Sequence, residues 1–125
     1  MAADIPAPGR PVRGSTTGRP IMALLDLLGR RWLLRVIWEL HRAEHPPTFR
    51  DLRTACGDIS SSVLTRRLHE LTDAGLVAHD NGYALTPLGT RLVDNLQPLT
   101  RWAEEWSRHQ TDAPARTGPQ RPLTS

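Results

Sequence analysis

Apolar residues between Pro20 and about His45 recur at helical spacing, but on two faces. At about 100° per residue, Ile21, Leu25, Leu28, Trp32, Val36 and Leu40 share one side of a single helix, with Leu27, Leu34, Ile37 and Trp38 roughly opposite. A helix that is apolar on two sides has to be covered on both, and in a chain of 125 residues the second cover is expected from another subunit. Arg31, Arg35 and Arg42 form a polar flank between the faces. Pro46-Pro47 ends the pattern, because proline lacks a backbone donor and pushes the preceding residue out of helical geometry.

The next elements are marked by their ends. Thr48 is an N-cap for a short helix to about Ala55, with Asp51 in its first turn and Phe49 and Leu52 facing inward. Gly57 and Asp58 make a turn, and Ser60 caps a third helix that runs to about Ala74 and stops at Gly75. On that helix Leu64, Leu68 and Leu71 face inward with Val63 on their shoulder. Ser62, Thr65, Arg66, His69 and Asp73 face away, and Arg67 lies at the buried edge, where it is expected to pair or pack. Two short strands, Leu76 to His79 and Tyr83 to Thr86, flank Asn81-Gly82, the pair that suits a type I′ turn with positive φ at both positions. Thr86 caps a last helix with Pro87 at its first position. Leu88, Leu92, Leu99, Trp102, Ala103 and Trp106 make one apolar stripe on it, and Pro98 is expected to kink or break it near Asn95–Gln97. The order is that of a winged helix-turn-helix: mainly α, one short β-hairpin, and terminal helices expected to form a homodimer.

Composition narrows the classes. All 16 basic residues are arginine, and 11 of them face 11 carboxylates between residues 20 and 110, so the net charge of +3 comes from the ends. Residues 1–19 and 111–125 carry three prolines each among Ser, Thr, Gly and Arg and are expected to be flexible arms around a domain at 20–110. Arg10, Arg13, Arg19, Arg116 and Arg121 lie in those arms. One cysteine excludes a disulfide framework and a cysteine-only zinc site. With no apolar run of spanning length and no secretory signal, the expectation is a cytoplasmic protein that does not enter a membrane.

Several segments together resemble the HxlR-type winged-helix regulators, relatives of the MarR group. Leu28-Gly29-Arg30-Arg31-Trp32 is similar to the family's Gly-Gly-Lys-Trp signature, and Thr48-Phe49-Arg50-Asp51-Leu52-Arg53 to its Arg-Phe-x-x-Leu-Arg segment. Ile59-Ser60, Val63-Leu64-Thr65, Arg67-Leu68, Glu70-Leu71 and Gly75-Leu76-Val77 follow its recognition-helix pattern. Tyr83-x-Leu85-Thr86-Pro87-x-Gly89, Leu92 and Trp102 follow its post-wing segment, so the likeness spans about residues 22–106. It implies a homodimer built by the terminal helices that binds a pseudo-palindromic operator in double-stranded DNA. Many such proteins repress a nearby gene and release DNA on a chemical or redox signal. This chain departs from the pattern in three places. It has no cysteine from Arg19 to Leu24, it carries Ser62 where the family often has lysine, and its wing, Ala78 to Gly82, holds no arginine. The first departure argues against thiol sensing; the other two lower the DNA affinity expected.

Arg66 is the expected base reader, since a guanidinium donates two bonds to guanine O6 and N7. Ser61, Ser62, Thr65 and His69 share its face, and Arg50 and Arg53 are candidate phosphate clamps on the preceding helix. Four of the six aromatic residues are tryptophans. Trp32, Trp38, Trp102 and Trp106 would line a pocket for a flat aromatic effector if the first and last helices met at a dimer seam, or would simply pack there. Cys56 lies one turn from Arg53, a cation that would favour its thiolate, although a buried, inert thiol is the expectation. His41 and His45 have the i, i+4 spacing of a metal pair, with Glu44 the only further donor nearby. No phosphate-cradling loop, nucleophile elbow or metal-ligand cluster is present, so no catalysis and no cofactor are expected. Two functions follow: a dimeric sequence-specific repressor released by a small aromatic effector, or a repurposed winged-helix dimer that binds or transforms such a molecule without reading DNA.

Overall fold

The computed structural model describes residues 19–57 and 59–112. The expected arms up to residue 18 and from 113 onward, with Arg10, Arg13, Arg116 and Arg121, lie outside the described residues, as does Asp58 of the expected turn. The elements run α1 (Pro20–Leu28), α2 (Leu33–Arg42), α3 (Phe49–Ala55), α4 (Ser61–Asp73), β1 (Val77–His79), β2 (Tyr83–Leu85) and α5 (Pro87–Asp112). This is the expected winged helix-turn-helix.

The expected single helix from Pro20 to His45 is two helices. Gly29 closes α1 with its N–H on the Leu25 carbonyl, and Trp32 takes a left-handed backbone, φ 75°, before α2 begins. The break resets the helical phase, so the two-face assignment fails in detail. Leu27, Leu33, Val36, Ile37 and Leu40 are buried together, while Ile21, Leu25, Leu34 and Trp38 stay exposed. α2 also stops at Arg42, where Ala43 turns extended with ψ 135°.

Downstream, local signals and structure agree. Thr48 and Asp51 form a reciprocal cap: the Asp51 N–H donates to Thr48 Oγ1 at 3.1 Å and the Thr48 N–H to Asp51 Oδ2 at 3.3 Å. Ser60 Oγ accepts from the Val63 N–H at 3.2 Å and starts α4. The hairpin pairs Val77 with Leu85, Ala78 with Ala84 and His79 with Tyr83. Its turn has φ 59° at Asn81 and 110° at Gly82, and each strand is one residue shorter than expected. Thr86 Oγ1 donates to the Gly75 carbonyl at 2.6 Å and accepts from the Gly89 N–H at 3.0 Å, tying the stop of α4 to the start of α5.

The chain divides after Val93 into two units. The first holds one apolar core, in which Leu33, Leu52, Ile59, Leu64 and Leu71 are almost fully enclosed. Losing any one of these side chains to alanine would cost about 2–5 kcal/mol. The second contains the remainder of α5. Pro98 does not break that helix, which continues through it to Asp112. Proline removes a single i→i−4 bond, and helical turns on both sides carry the segment across.

Candidate nucleic-acid interface

α4 is amphipathic in a way that divides labour. Leu64, Leu68 and Leu71 are buried on one side, and Ser61, Ser62, Thr65, Arg66 and His69 are all exposed on the other. Arg66 makes no hydrogen bond or ion pair to any described residue. Its guanidinium is available to a ligand with all its donors. Ser62 Oγ lies 3.5 Å from Ser60 Oγ, beside the first turn of the helix, where backbone donors and the helix dipole favour an anion.

The inner edge of α4 is polar and fully paired. Glu70, 3 % exposed, accepts from Arg67 Nη1 and Arg30 Nη1, each at 2.8 Å. Arg67 Nε also donates to the Arg31 carbonyl at 2.7 Å, and Arg30 Nη2 reaches Asp26 at 3.4 Å. The sequence shows Arg67 at a buried edge but not this network. Its visible traces are the i, i+3 spacing of Arg67 and Glu70 and the i, i+4 spacing of Asp26 and Arg30; the Arg30–Glu70 pair spans forty positions. Glu39 is a second buried carboxylate, held by Arg35 at 2.9 Å with Arg42 at 3.9 Å.

The flanking elements differ in readiness. Arg50 projects from α3 into solvent. Arg53 Nε donates to the Ile59 carbonyl at 2.8 Å, so this side chain also braces the turn between α3 and α4. On the wing, the His79 and Tyr83 rings stack with centroids 3.9 Å apart and planes 8° from parallel. The exposed wing residues His79, Asp80 and Asn81 include no arginine.

The aromatic candidates separate. Trp32 is half-buried against the core, and Trp38 is exposed, tilted over His41 at 5.6 Å. In the second unit Trp102 and Trp106 stack on each other along α5, centroids 6.1 Å apart, and both are exposed. A hollow of about 380 Å³ beside the end of α2 is lined by Glu39, Arg42, His45 and Asp51 among others, and by no tryptophan.

Neither a reactive thiol at Cys56 nor a metal pair at His41 and His45 is built. Cys56 is buried, and its thiol is pushed up from its ordinary 9.0, first by desolvation and then by the Glu39 charge, with Arg35 opposing. Arg53 does not stabilise a thiolate there, because its guanidinium is turned to the Ile59 carbonyl. His41 and His45 do not share a helical face either, since α2 ends between them. Among the described residues no group of three His, Cys, Asp or Glu side chains could hold a metal ion.

A helix-turn-helix with an open polar face on its second helix, followed by a hairpin wing, defines a DNA-binding type of fold. The chain belongs to the HxlR-like helix-turn-helix family, whose profile it matches over residues 27–111, and it is a transcription regulator of that family. It is 30 % identical over 90 residues to the uncharacterized HTH-type transcriptional regulator YvaP of Bacillus subtilis, covering 66 % of this chain and 82 % of that one. Among solved structures it is similar to a possible HxlR family transcriptional factor of Thermoplasma volcanium, with 34 % identity, a TM-score of 0.61, and 68 % and 82 % of the two chains covered. It is also similar to quinone-bound YodB of B. subtilis, with 30 % identity, a TM-score of 0.62, and 68 % and 96 % covered. A MarR-family regulator of Enterococcus faecalis shares 28 % identity at a TM-score of 0.64, with 80 % and 96 % covered. No helix among the described residues is long and apolar enough to cross a membrane.

Proposed function

We propose that the protein is a homodimeric, sequence-specific DNA-binding repressor that places α4 in the major groove and is released by a small aromatic effector. The observation that carries the reading is the outward face of α4, where Arg66 is unpaired among the described residues and surrounded by short hydroxyl side chains. Arg66 is the base reader, while Ser61, Ser62, Thr65 and His69 contact base edges or phosphate, and Arg50 anchors the backbone with Arg53 beside it. Homodimer formation is supported by large apolar side chains left exposed: Ile21, Leu25, Leu34 and Trp38 in the first unit, and Leu99, Trp102 and Trp106 in the second.

The effector reading rests on the exposed tryptophans and on the quinone held by the similar YodB. Because the sole cysteine is buried with a raised pKa, a quinone here binds by stacking on indole rather than as a thiol adduct. Quenching of tryptophan fluorescence by a 1,4-naphthoquinone, alongside DNA release, tests it. DNA reading itself is tested by anisotropy titration of the duplex upstream of the protein's own gene against a scrambled duplex, at low and physiological salt. A preference of about 10³ or more for the upstream duplex supports an autoregulating reader. Equal binding to both that salt abolishes favours the alternative, a winged-helix dimer that handles a small molecule without reading DNA.

A further inference from the structure

We infer that Arg30 is a positioning residue for the DNA-reading face: with Glu70 and Arg67 it locks the rotation of α4 to the turn between α1 and α2. The inference rests on the proposal that α4 reads DNA. The Leu64, Leu68 and Leu71 contacts set how deeply α4 sits, but apolar packing is non-directional and resists small rotations weakly. The polar edge is directional. Both Glu70 oxygens are used, Oε1 by Arg67 and Oε2 by Arg30, at 2.8 Å each. The Arg67 pair lies within α4, and Arg67 adds a second link to the turn, its Nε on the Arg31 backbone carbonyl at 2.7 Å.

The anchor at the other end of these links is stiff. Arg30 is also paired with Asp26 of α1, and its N–H is bonded to the Leu27 carbonyl. Two residues later Trp32 holds φ 75°, a conformation bulky residues avoid unless their surroundings impose it. The residue after it, Leu33, is fully buried, and the Val36 N–H is bonded to the Trp32 carbonyl, so the left-handed residue is held from its C-terminal side. Arg66 occupies the preceding position, about 100° round the helix from Arg67. Fixing the azimuth of Arg67 therefore fixes the direction in which the Arg66 side chain leaves the helix. Bidentate recognition of a base tolerates little rotation, so the clamp bears on specificity more than on non-specific attraction.

The test uses the full chain carrying Arg30→Ala, Arg30→Lys or, as a control that also removes a guanidinium from a buried carboxylate, Arg42→Ala. Each is titrated with the upstream and scrambled duplexes at a temperature where circular dichroism shows it folded. Amide hydrogen exchange of the DNA-free proteins is followed in parallel. Arg30→Ala is expected to lower affinity for the upstream duplex about two- to thirty-fold, the range of couplings carried by residues that touch neither ligand, with the scrambled duplex little changed. Arg30→Lys restores most of the loss, Arg42→Ala shows none, and exchange quickens in α4 for Arg30→Ala alone. Equal losses on both duplexes, or α4 exchange identical to wild type, overturn the inference. If the wild type itself fails to discriminate the duplexes, DNA reading falls, and the exchange comparison still decides whether Arg30 holds α4.

Discussion

Gly82 of the wing and Pro46 of the loop after α2 meet backbone to backbone. A Cβ on Gly82 would lie 2.6 Å from the Pro46 carbonyl oxygen and 2.8 Å from its Cβ, and Gly82 also needs φ +110°. The neighbouring Tyr83 N–H donates to the Pro47 carbonyl at 2.9 Å, so the hairpin is fastened to the diproline corner. The prolines thus end α2 and seat the wing. Gly82→Ala is expected to destabilise the protein by about 2–4 kcal/mol, since backbone strain and overpacking add. Gly57→Ala, also at positive φ (+76°) but with open space around it, is expected to cost only about 1–2 kcal/mol. Urea denaturation of the two variants checks the order; equal costs would mean the Pro46 contact gives way freely.

The two arginines of α3 should behave differently. Arg53→Ala loses the bond to the Ile59 carbonyl and is expected to lower stability by about 1 kcal/mol. Arg50→Ala leaves stability unchanged and reduces the salt slope of DNA binding by about 1, the signature of a lost phosphate contact. Thermal melts and salt titrations on both variants separate the roles, and the reverse pattern would exchange them.

Cys56 should be inert in the folded protein. Ellman's reagent is expected to label it slowly in buffer and rapidly in urea, because the thiol is buried and its ionised form disfavoured. The raised pKa also has a consequence for stability. Above the ordinary thiol value of 9.0 the unfolded chain gives up a proton that the folded chain keeps. The Cys56 contribution is therefore constant below about pH 9 and turns destabilising as pH rises beyond it. Comparing urea midpoints of wild type and Cys56→Ala at pH 8 and 10 measures this; labelling at the free-thiol rate in buffer would contradict the burial.

The exposed stripe of α5 offers a test of assembly. Leu99 and Trp102 are 58 % and 57 % exposed, which is costly for side chains of that size unless another surface covers them. Leu99→Glu/Trp102→Glu is expected to remain folded and sediment at half the mass of the wild type. A wild type that already sediments as a monomer would remove the homodimer.

What could be read from the sequence was mostly local. Thr48, Ser60, Asn81-Gly82, Thr86 and Pro87 act within a few residues of themselves, so each marked its element to within a residue. The outward face of α4 follows from its leucine spacing in the same way. The break at Gly29–Trp32 is masked, because the helical spacing of Leu28, Trp32 and Val36 carries across it and no proline marks it, leaving Gly29 as its one local sign. The left-handed Trp32 sits beside tertiary contacts, among them Arg67 on the Arg31 carbonyl, that no local pattern announces. The Arg30–Glu70 pair is hidden for the same reason, its partners being remote in the chain. Pro98 misled in one respect: the break its local rule allows does not occur, and the helix continues on both sides.

The central claim is that the outer face of α4 reads base sequence, and Arg66→Ala tests it most directly. Arg66 is exposed and unpaired among the described residues, so its removal leaves the fold intact and isolates recognition. Anisotropy titration of wild type and variant on the upstream and scrambled duplexes at physiological salt is the measurement. The account predicts a loss of about 1–3 kcal/mol on the upstream duplex with little change on the scrambled one. Equal losses on both duplexes, or no loss on either, would contradict it.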